Sequence, residues 1–409
     1  MAELKYWIWL NELGISPVQT YRVLDYFGGP MEVFFAERGD FEKMPHMAFR
    51  GFEIEALTNQ SLDQVYKIQD EMQALGGRIL TQQDAEYPQR LRDIDDAPFV
   101  LYVRGRLPVV DDEAVIVIAG TRRCSPYGYV AARQIAGEIT RHGGLVVSGL
   151  AAGIDTAAAE GALREGGSVI GVLGCGLERV YPPENVAVFE EVLQAGAIVS
   201  EYPPGTEPVG RNFPRRNRIM TGLSLALVAV EIPTEKSGTM HSVNHAIEQG
   251  RDVFVVPANI DSPTSIASNA LVADGFQAAS TGWHVLRDYA SRYAHVVSPE
   301  MLAAKPKPAG REMAPPVPLA AKSKGAAKKV IDKTSGEDYS IDLKEALKNR
   351  SEAEQTVAAI LDYEPKHVDE IIAACDLPVQ KVNVCLTTLE IAGLIRTHPG
   401  KRYSLAVGN

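Results

Sequence analysis

Short, nearly unbroken apolar runs alternate with helical spacing through the middle of the chain. The runs are Ala114–Ala119, Leu145–Ser148, Ser168–Leu173, Ala197–Ser200, Leu225–Ile232 and Asp252–Val256, all rich in Val, Ile or both. A strand covered on both faces reads this way, because neither face can be polar. Segments of roughly ten to fifteen residues with helical periodicity separate the runs, the length of a right-handed crossover between parallel strands. Residues 78–298 are therefore expected to form an α/β domain around a doubly wound, mostly parallel sheet.

The flanks read differently. In residues 1–77, Trp7, Leu10, Leu13, Tyr21, Leu24, Tyr26 and Phe27 are spaced to bury one side of two short helices, and Gly28-Gly29-Pro30 stops the second. The turn Leu13-Gly-Ile-Ser-Pro17 resembles a helix-hairpin-helix with Ser16 in place of the second glycine. Five prolines and a surplus of alanine and lysine across Ala303–Lys333 leave nothing to form a core, so 299–350 is expected to be a linker. In 351–409, Ser351-x-x-Glu354 is a capping box opening a first helix. Two more helices and a ribbon turning at Pro399-Gly400 give the layout of a winged helix. Its third helix offers Gln380, Lys381, Asn383 and Thr387, with one basic residue among them, too few for a strong duplex reader.

Charge narrows the possibilities. With 41 Lys and Arg against 52 Asp and Glu, the net charge of −11 excludes coating of nucleic acid by bulk charge. An anionic partner must find a local basic patch. The N-terminus does not read as a signal peptide, no apolar stretch approaches a bilayer's thickness, and four scattered cysteines form no C-x-x-C pair. A soluble, cytoplasmic protein without membrane contact, bound metal or cofactor is expected.

The chemistry lies in loops expected beyond the carboxyl ends of the strands, where open α/β sheets bind ligands. These are Gly120-Thr-Arg-Arg-Cys-Ser-Pro-Tyr-Gly128, Ser148-Gly-Leu-Ala-Ala-Gly-Ile-Asp155, Gly174-Cys-Gly176, the long loop 201–219 and Ser237-Gly-Thr239. Their glycines and helix starts offer N–H groups to phosphate. A dinucleotide fingerprint is absent, since the third glycine position after Gly174-x-Gly176 is Arg179. The most informative segment is Arg211-Asn-Phe-Pro-Arg-Arg-Asn-Arg218, with four arginines and no acid in eight residues. Arginine forks suit phosphates, and Phe213 offers a face for a base. His241 and His245 share a helix face but lack the glutamate of a zinc-protease motif.

Taken in order, these loops resemble the DNA-processing protein A (DprA, or Smf) family of natural transformation. The matching blocks include Tyr87-Pro-Gln-Arg-Leu-Arg, Gly120-Thr-Arg122, Ser148-Gly-Leu-Ala-Ala-Gly-Ile-Asp155, Tyr181-Pro-Pro-Glu-Asn185, Phe213-Pro-Arg-Arg-Asn-Arg-Ile-Met-Thr-Gly-Leu-Ser224 and Ser237-Gly-Thr239. The resemblance implies a Rossmann-like core and a non-enzymatic protein. Such a protein binds incoming single-stranded DNA, usually as a homodimer, and helps load the RecA recombinase. Carried over by motif, Gly120, Thr121, Arg122, Ser148, Gly149, Phe213, Arg215, Arg216, Asn217 and Arg218 are expected to line the DNA groove. The chain departs from the family at Ala159, Ala258, Ala267 and Phe276, which affects chiefly the late loop. Two rivals stand beside this reading. A nucleotide phosphoribohydrolase of the lysine-decarboxylase-like class would need an acid where the chain has Ser242. A transcriptional regulator would need sequence-specific duplex binding by the C-terminal module.

Overall fold

In the computed structural model all six apolar runs are strands. It describes residues 3–45, 49–303, 351–361, 366–375, 377–391, 394–398 and 402–405. The chain divides into two compact units, Met1–Pro316 and Val317–Asn409. In the first unit the strands are β1 (Arg78–Thr81), β2 (Val100–Gly105), β3 (Val115–Gly120), β4 (Leu145–Ser148), β5 (Val169–Leu173), β6 (Ala197–Ser200), β7 (Ala226–Val230), β8 (Asp252–Val255) and β9 (Gln277–Ala278). They form one sheet in the order β1-β2-β6-β5-β4-β3-β7-β8-β9. From β6 to β9 all neighbours are parallel, while β2 pairs antiparallel with both β1 and β6. The chain winds outward from β3 to β6, crosses back, and continues from β7 on the other side of β3. The doubly wound, Rossmann-like expectation is met.

Alternation along each strand sends side chains to two apolar layers. Ile116, Ile118 and Val146 join the layer under the helices Pro126–Arg141, Ile154–Arg164 and Val186–Ala195. Val115, Val117, Ala119 and Val147 join the layer under Asn212–Leu223, Gly238–Glu248 and Ile266–Ala273. Most of these strand side chains are fully buried, and each contributes about 1.5–3 kcal/mol relative to exposure. The antiparallel pair β1–β2 and the two-residue β9 were not read from the sequence; they are short or sit at the sheet's edges, where the pattern is weak.

The N-terminal helices share a core with the sheet. Trp7 stacks on Phe99 at 6.3 Å between ring centres, Tyr21 lies 4.7 Å from the same ring, and the Tyr21 hydroxyl donates to the Ala97 carbonyl at 3.2 Å. Of the seven positions expected to be buried, Trp7 and Leu10 are buried, Leu13, Tyr21, Leu24 and Phe27 are partly buried, and Tyr26 is 49% exposed. Gly28 ends the second helix at φ 92°, a left-handed cap that explains the glycine. Ser16 caps that helix, its hydroxyl accepting the Gln19 N–H at 3.3 Å.

In the second unit, helices Glu352–Ile360, Val368–Ala374 and Val379–Ile391 pack around Val357, Ile371, Val382, Leu386 and Leu389. Ser351 and Glu354 close the expected capping box. The strands Ile395–His398 and Arg402–Leu405 pair antiparallel, and Lys366–His367 adds a short third strand beside the latter. This is a winged helix. Lys381 is exposed, whereas the side chains of Gln380, Asn383 and Thr387 lie outside the described residues. Most of the expected linker, 304–350, lies outside them too. Among the described residues no helix is long and apolar enough to cross a membrane.

Candidate nucleic-acid interface

The order of the strands along the chain reverses between β3 and β7, and a cleft of about 370 Å³ opens there, beyond their carboxyl ends. Its lining comes from Gly120–Arg122, Ala151, Asp155, Tyr181, Pro208, Gly210, Phe213, Pro214, Arg216, Asn217, Met220, Ser237–Thr239 and Ser242. Four of the five expected loops therefore meet here, the long loop 201–219 bringing the start of the arginine helix, and Gly174–Gly176 is the one left out. Gly120, Thr121, Arg122, Phe213, Arg216 and Asn217 are brought together as expected.

Three helices follow their strands directly at this edge, and their free N–H groups could each hold an anion. Two already have one of the chain's own carboxylates beside them. Glu231, just after β7, accepts the Ser125 main-chain N–H at 2.8 Å at the start of Pro126–Arg141. Asp155 lies in the first turn of Ile154–Arg164 and is buried. The third helix, Gly238–Glu248, has no acid in its first turn. Ser237, Thr239 and Ser242 bring hydroxyls to it, and the buried Ser237 Oγ has no hydrogen-bond partner. An acid thus stands at two of the three starts, and the start at Ser237–Thr239 is the one without an acid.

Aromatic and basic groups line the opposite wall. Phe213 stacks on Tyr181 with ring centres 5.2 Å apart and 29° between planes. The exposed guanidinium of Arg122 sits over the Phe213 ring at 5.0 Å. Asn217 donates to the Gly238 carbonyl at 3.4 Å, joining this wall to the open helix start.

The arginine run splits by helical face. Arg211 and Arg215 are exposed. Arg216 is 3% exposed, and its Nη1 donates to the carbonyls of Gly149, at 2.8 Å, and Val172. Its Nε is buried without a partner. Burial pulls the Arg216 pKa below the ordinary guanidinium value, with Asp155 opposing. Burial pushes the Asp155 carboxyl up to about 6, with Arg216, Arg122 and nearby main-chain N–H groups holding it back. A Cβ on Gly149 would meet the ends of both side chains, so a larger residue there would have to push them aside.

Arg218 is 2% exposed and does not line the cleft. Its Nη2 donates to Glu201 at 2.7 Å, and its Nε lies 2.8 Å from the Asp96 carboxylate in a second ion pair. Burial disfavours its charge, but Glu201 and Asp96 outweigh that and raise its pKa. Ser148 is fully buried, its hydroxyl donating to the Asp155 carbonyl at 2.8 Å and accepting the Leu150 N–H at 3.1 Å. Solvent-facing guanidinium groups at Arg216 and Arg218 are therefore not found, and Ser148 and Gly149 lie beneath the cleft. Helical spacing carried this signal: Asn212, Arg216, Ile219 and Leu223 form one buried stripe of Asn212–Leu223. Tyr181, Asp155 and Glu231 went unassigned. Asp155 had a local signal, an acid in a helix's first turn, whereas nothing local marks the pairing of Glu231 with Ser125.

The model of the DNA recombination-mediator protein A family matches residues 78–290, and that of the DprA winged helix domain matches 342–401. The chain belongs to the DNA recombination-mediator protein A (DprA) family. Protein Smf of Synechocystis sp. is 32% identical over 412 residues, 98% of each chain. The DNA processing protein DprA of Bacillus subtilis is 34% identical over 214 residues, 52% of this chain and 72% of that one. The X-ray structure of DprA from Streptococcus pneumoniae superposes with a TM-score of 0.62 at 29% identity, covering 69% of this chain and 97% of that one. Family membership thus extends over both units, and the cleft lies within the part matched by the family's own model.

Proposed function

We propose that this DprA-family chain binds single-stranded DNA across the cleft, without making or breaking covalent bonds, and presents it to the RecA recombinase as a cytoplasmic homodimer. The observation that carries the reading is the Tyr181–Phe213 stack capped by Arg122, beside a helix start with no acid in its first turn. A base would extend the aromatic stack, and a phosphate would take the N–H groups and hydroxyls at Ser237–Thr239. Arg123, Arg211 and Arg215, all exposed, would extend the track for neighbouring phosphates. Recombinase delivery and dimerisation are drawn from the family resemblance.

The test is titration with single-stranded and duplex oligonucleotides at two salt concentrations. Preference for single strands, little dependence on sequence and a steep salt dependence are expected. Tighter binding to one duplex sequence would replace this reading with the regulator.

One observation favours a second reading. A buried carboxyl titrating at about 6 beside a polar cleft, Asp155, is the kind of group that hydrolases use as acid or base. Release of base from nucleoside monophosphates, lost in Asp155→Asn, would establish the phosphoribohydrolase instead.

A further inference from the structure

Glu231 follows directly on β7 at the reversal of strand order, and both its main chain and its side chain are engaged. Its φ of 50° lies in the left-handed region, disfavoured for a residue with a Cβ, and it is 1% exposed. Its carbonyl accepts the Thr121 N–H at 3.2 Å. Its carboxylate accepts the Ser125 N–H at 2.8 Å, the Ser125 hydroxyl, and the Thr264 hydroxyl at 2.7 Å. A Cβ on Gly128 would strike that carboxylate, so the helix Pro126–Arg141 seats against it only with glycine there. The segment from Thr121 to Ser125 is thus fastened to one residue at both ends. Arg122 and Arg123 occupy the span between, and both are exposed.

We infer that Glu231 is a positioning residue for DNA binding, holding Thr121–Ser125 so that Arg122 and Arg123 face the bound strand. This rests on the proposed single-stranded DNA reading. An acid beneath a phosphate track repels phosphate unless its charge is compensated. Here a main-chain N–H at a helix start and two hydroxyls compensate it. Thr264 belongs to the segment after β8, which lines no part of the cleft, so chain remote from DNA steadies the loop that touches it.

The test is titration of the full chain carrying Glu231→Ala with single-stranded DNA over a range of salt, beside thermal melting. Affinity is expected to fall about tenfold, and the log–log salt slope to flatten by about 0.7 for each arginine released. Glu231→Gln keeps the side chain's size and an acceptor, and is expected to recover most of both. A purely structural role would lower the melting temperature and leave the slope of the folded protein unchanged. If Glu231→Ala does not fold, Thr264→Val removes one donor to the carboxylate without altering Thr121–Ser125, and should shift the slope in the same direction. Wild-type affinity and slope in Glu231→Ala, or in Thr264→Val where Glu231→Ala does not fold, overturn the inference. Absence of single-strand binding by the unaltered protein overturns the reading beneath it, so the two failures are distinguishable.

Discussion

Replacing Arg218 with alanine is expected to destabilise the first unit while leaving the DNA-facing cleft in place. The guanidinium is 2% exposed and shared between Glu201, itself 7% exposed, and Asp96, whose side chain is 44% exposed. Water can take over the Asp96 carboxylate, but not the buried one of Glu201, which keeps only the exposed Arg215 at 3.5 Å. Removing one partner of a buried ion pair costs about 3–5 kcal/mol, because the remaining charge is stranded. That is a large fraction of the roughly 5–15 kcal/mol that holds a domain folded. At about 2–4 °C per kcal/mol for a large domain, the melting temperature should drop by roughly 10 °C. Arg218→Met combined with Glu201→Gln removes the stranded charge and refills the volume, so it should recover most of the loss. Arg122→Ala is the contrasting change. Its side chain is exposed, so stability should stay within about 0.5 kcal/mol, while the salt slope for single-stranded DNA flattens by about 0.7. Thermal melts and salt-dependent titrations on the same preparations separate the two. An Arg218→Ala protein that melts like wild type yet loses DNA would refute the assignment, since Arg218 would then be a ligand contact.

Three further outcomes follow from the geometry. Asp155 has a folded pKa of about 6 against an ordinary 3.8, so the folded state binds its proton more tightly. Its contribution therefore makes stability fall as pH rises from about 4 to 6 and level off above, while single-strand affinity rises as pH falls through about 6. Asp155→Asn should abolish both trends, and unchanged pH profiles in that variant would disprove the assignment. Phe213→Ala should cost about 1–3 kcal/mol of single-strand affinity by removing the stacking face; equal affinity in a titration would place the base elsewhere. A chain ending at Ala303 should melt cooperatively and retain the cleft, because the compact units divide at Pro316–Val317 and few contacts cross such boundaries. A broad, non-cooperative melt of that truncation would show that the second unit completes the core.

The doubly wound sheet was legible because burial on both faces leaves a local record: runs such as Val115–Gly120 and Ala226–Val230 must be apolar wherever they end up. Capping was legible for the same reason, since Ser351 and Glu354 satisfy each other within a single turn. The loops at the carboxyl edge could be named in order, because glycine and hydroxyl residues at strand ends are local requirements of tight turns. Which arginines face solvent was not settled by composition. Arg215, Arg216 and Arg218 are near neighbours in sequence, yet the first is exposed, the second is bonded to main-chain carbonyls and the third is held by Glu201 and Asp96. The partners stand 17 and 122 positions away from Arg218, so no window along the chain contains the pair. The same holds for the phosphate sites. Sequence supplied three helix starts, but only the folded chain brings Glu231 to Ser125 and leaves Ser237–Thr239 open. Charge acts through distance in space, whereas turn and burial preferences act residue by residue; the first needs the tertiary structure, and the second is written in the chain.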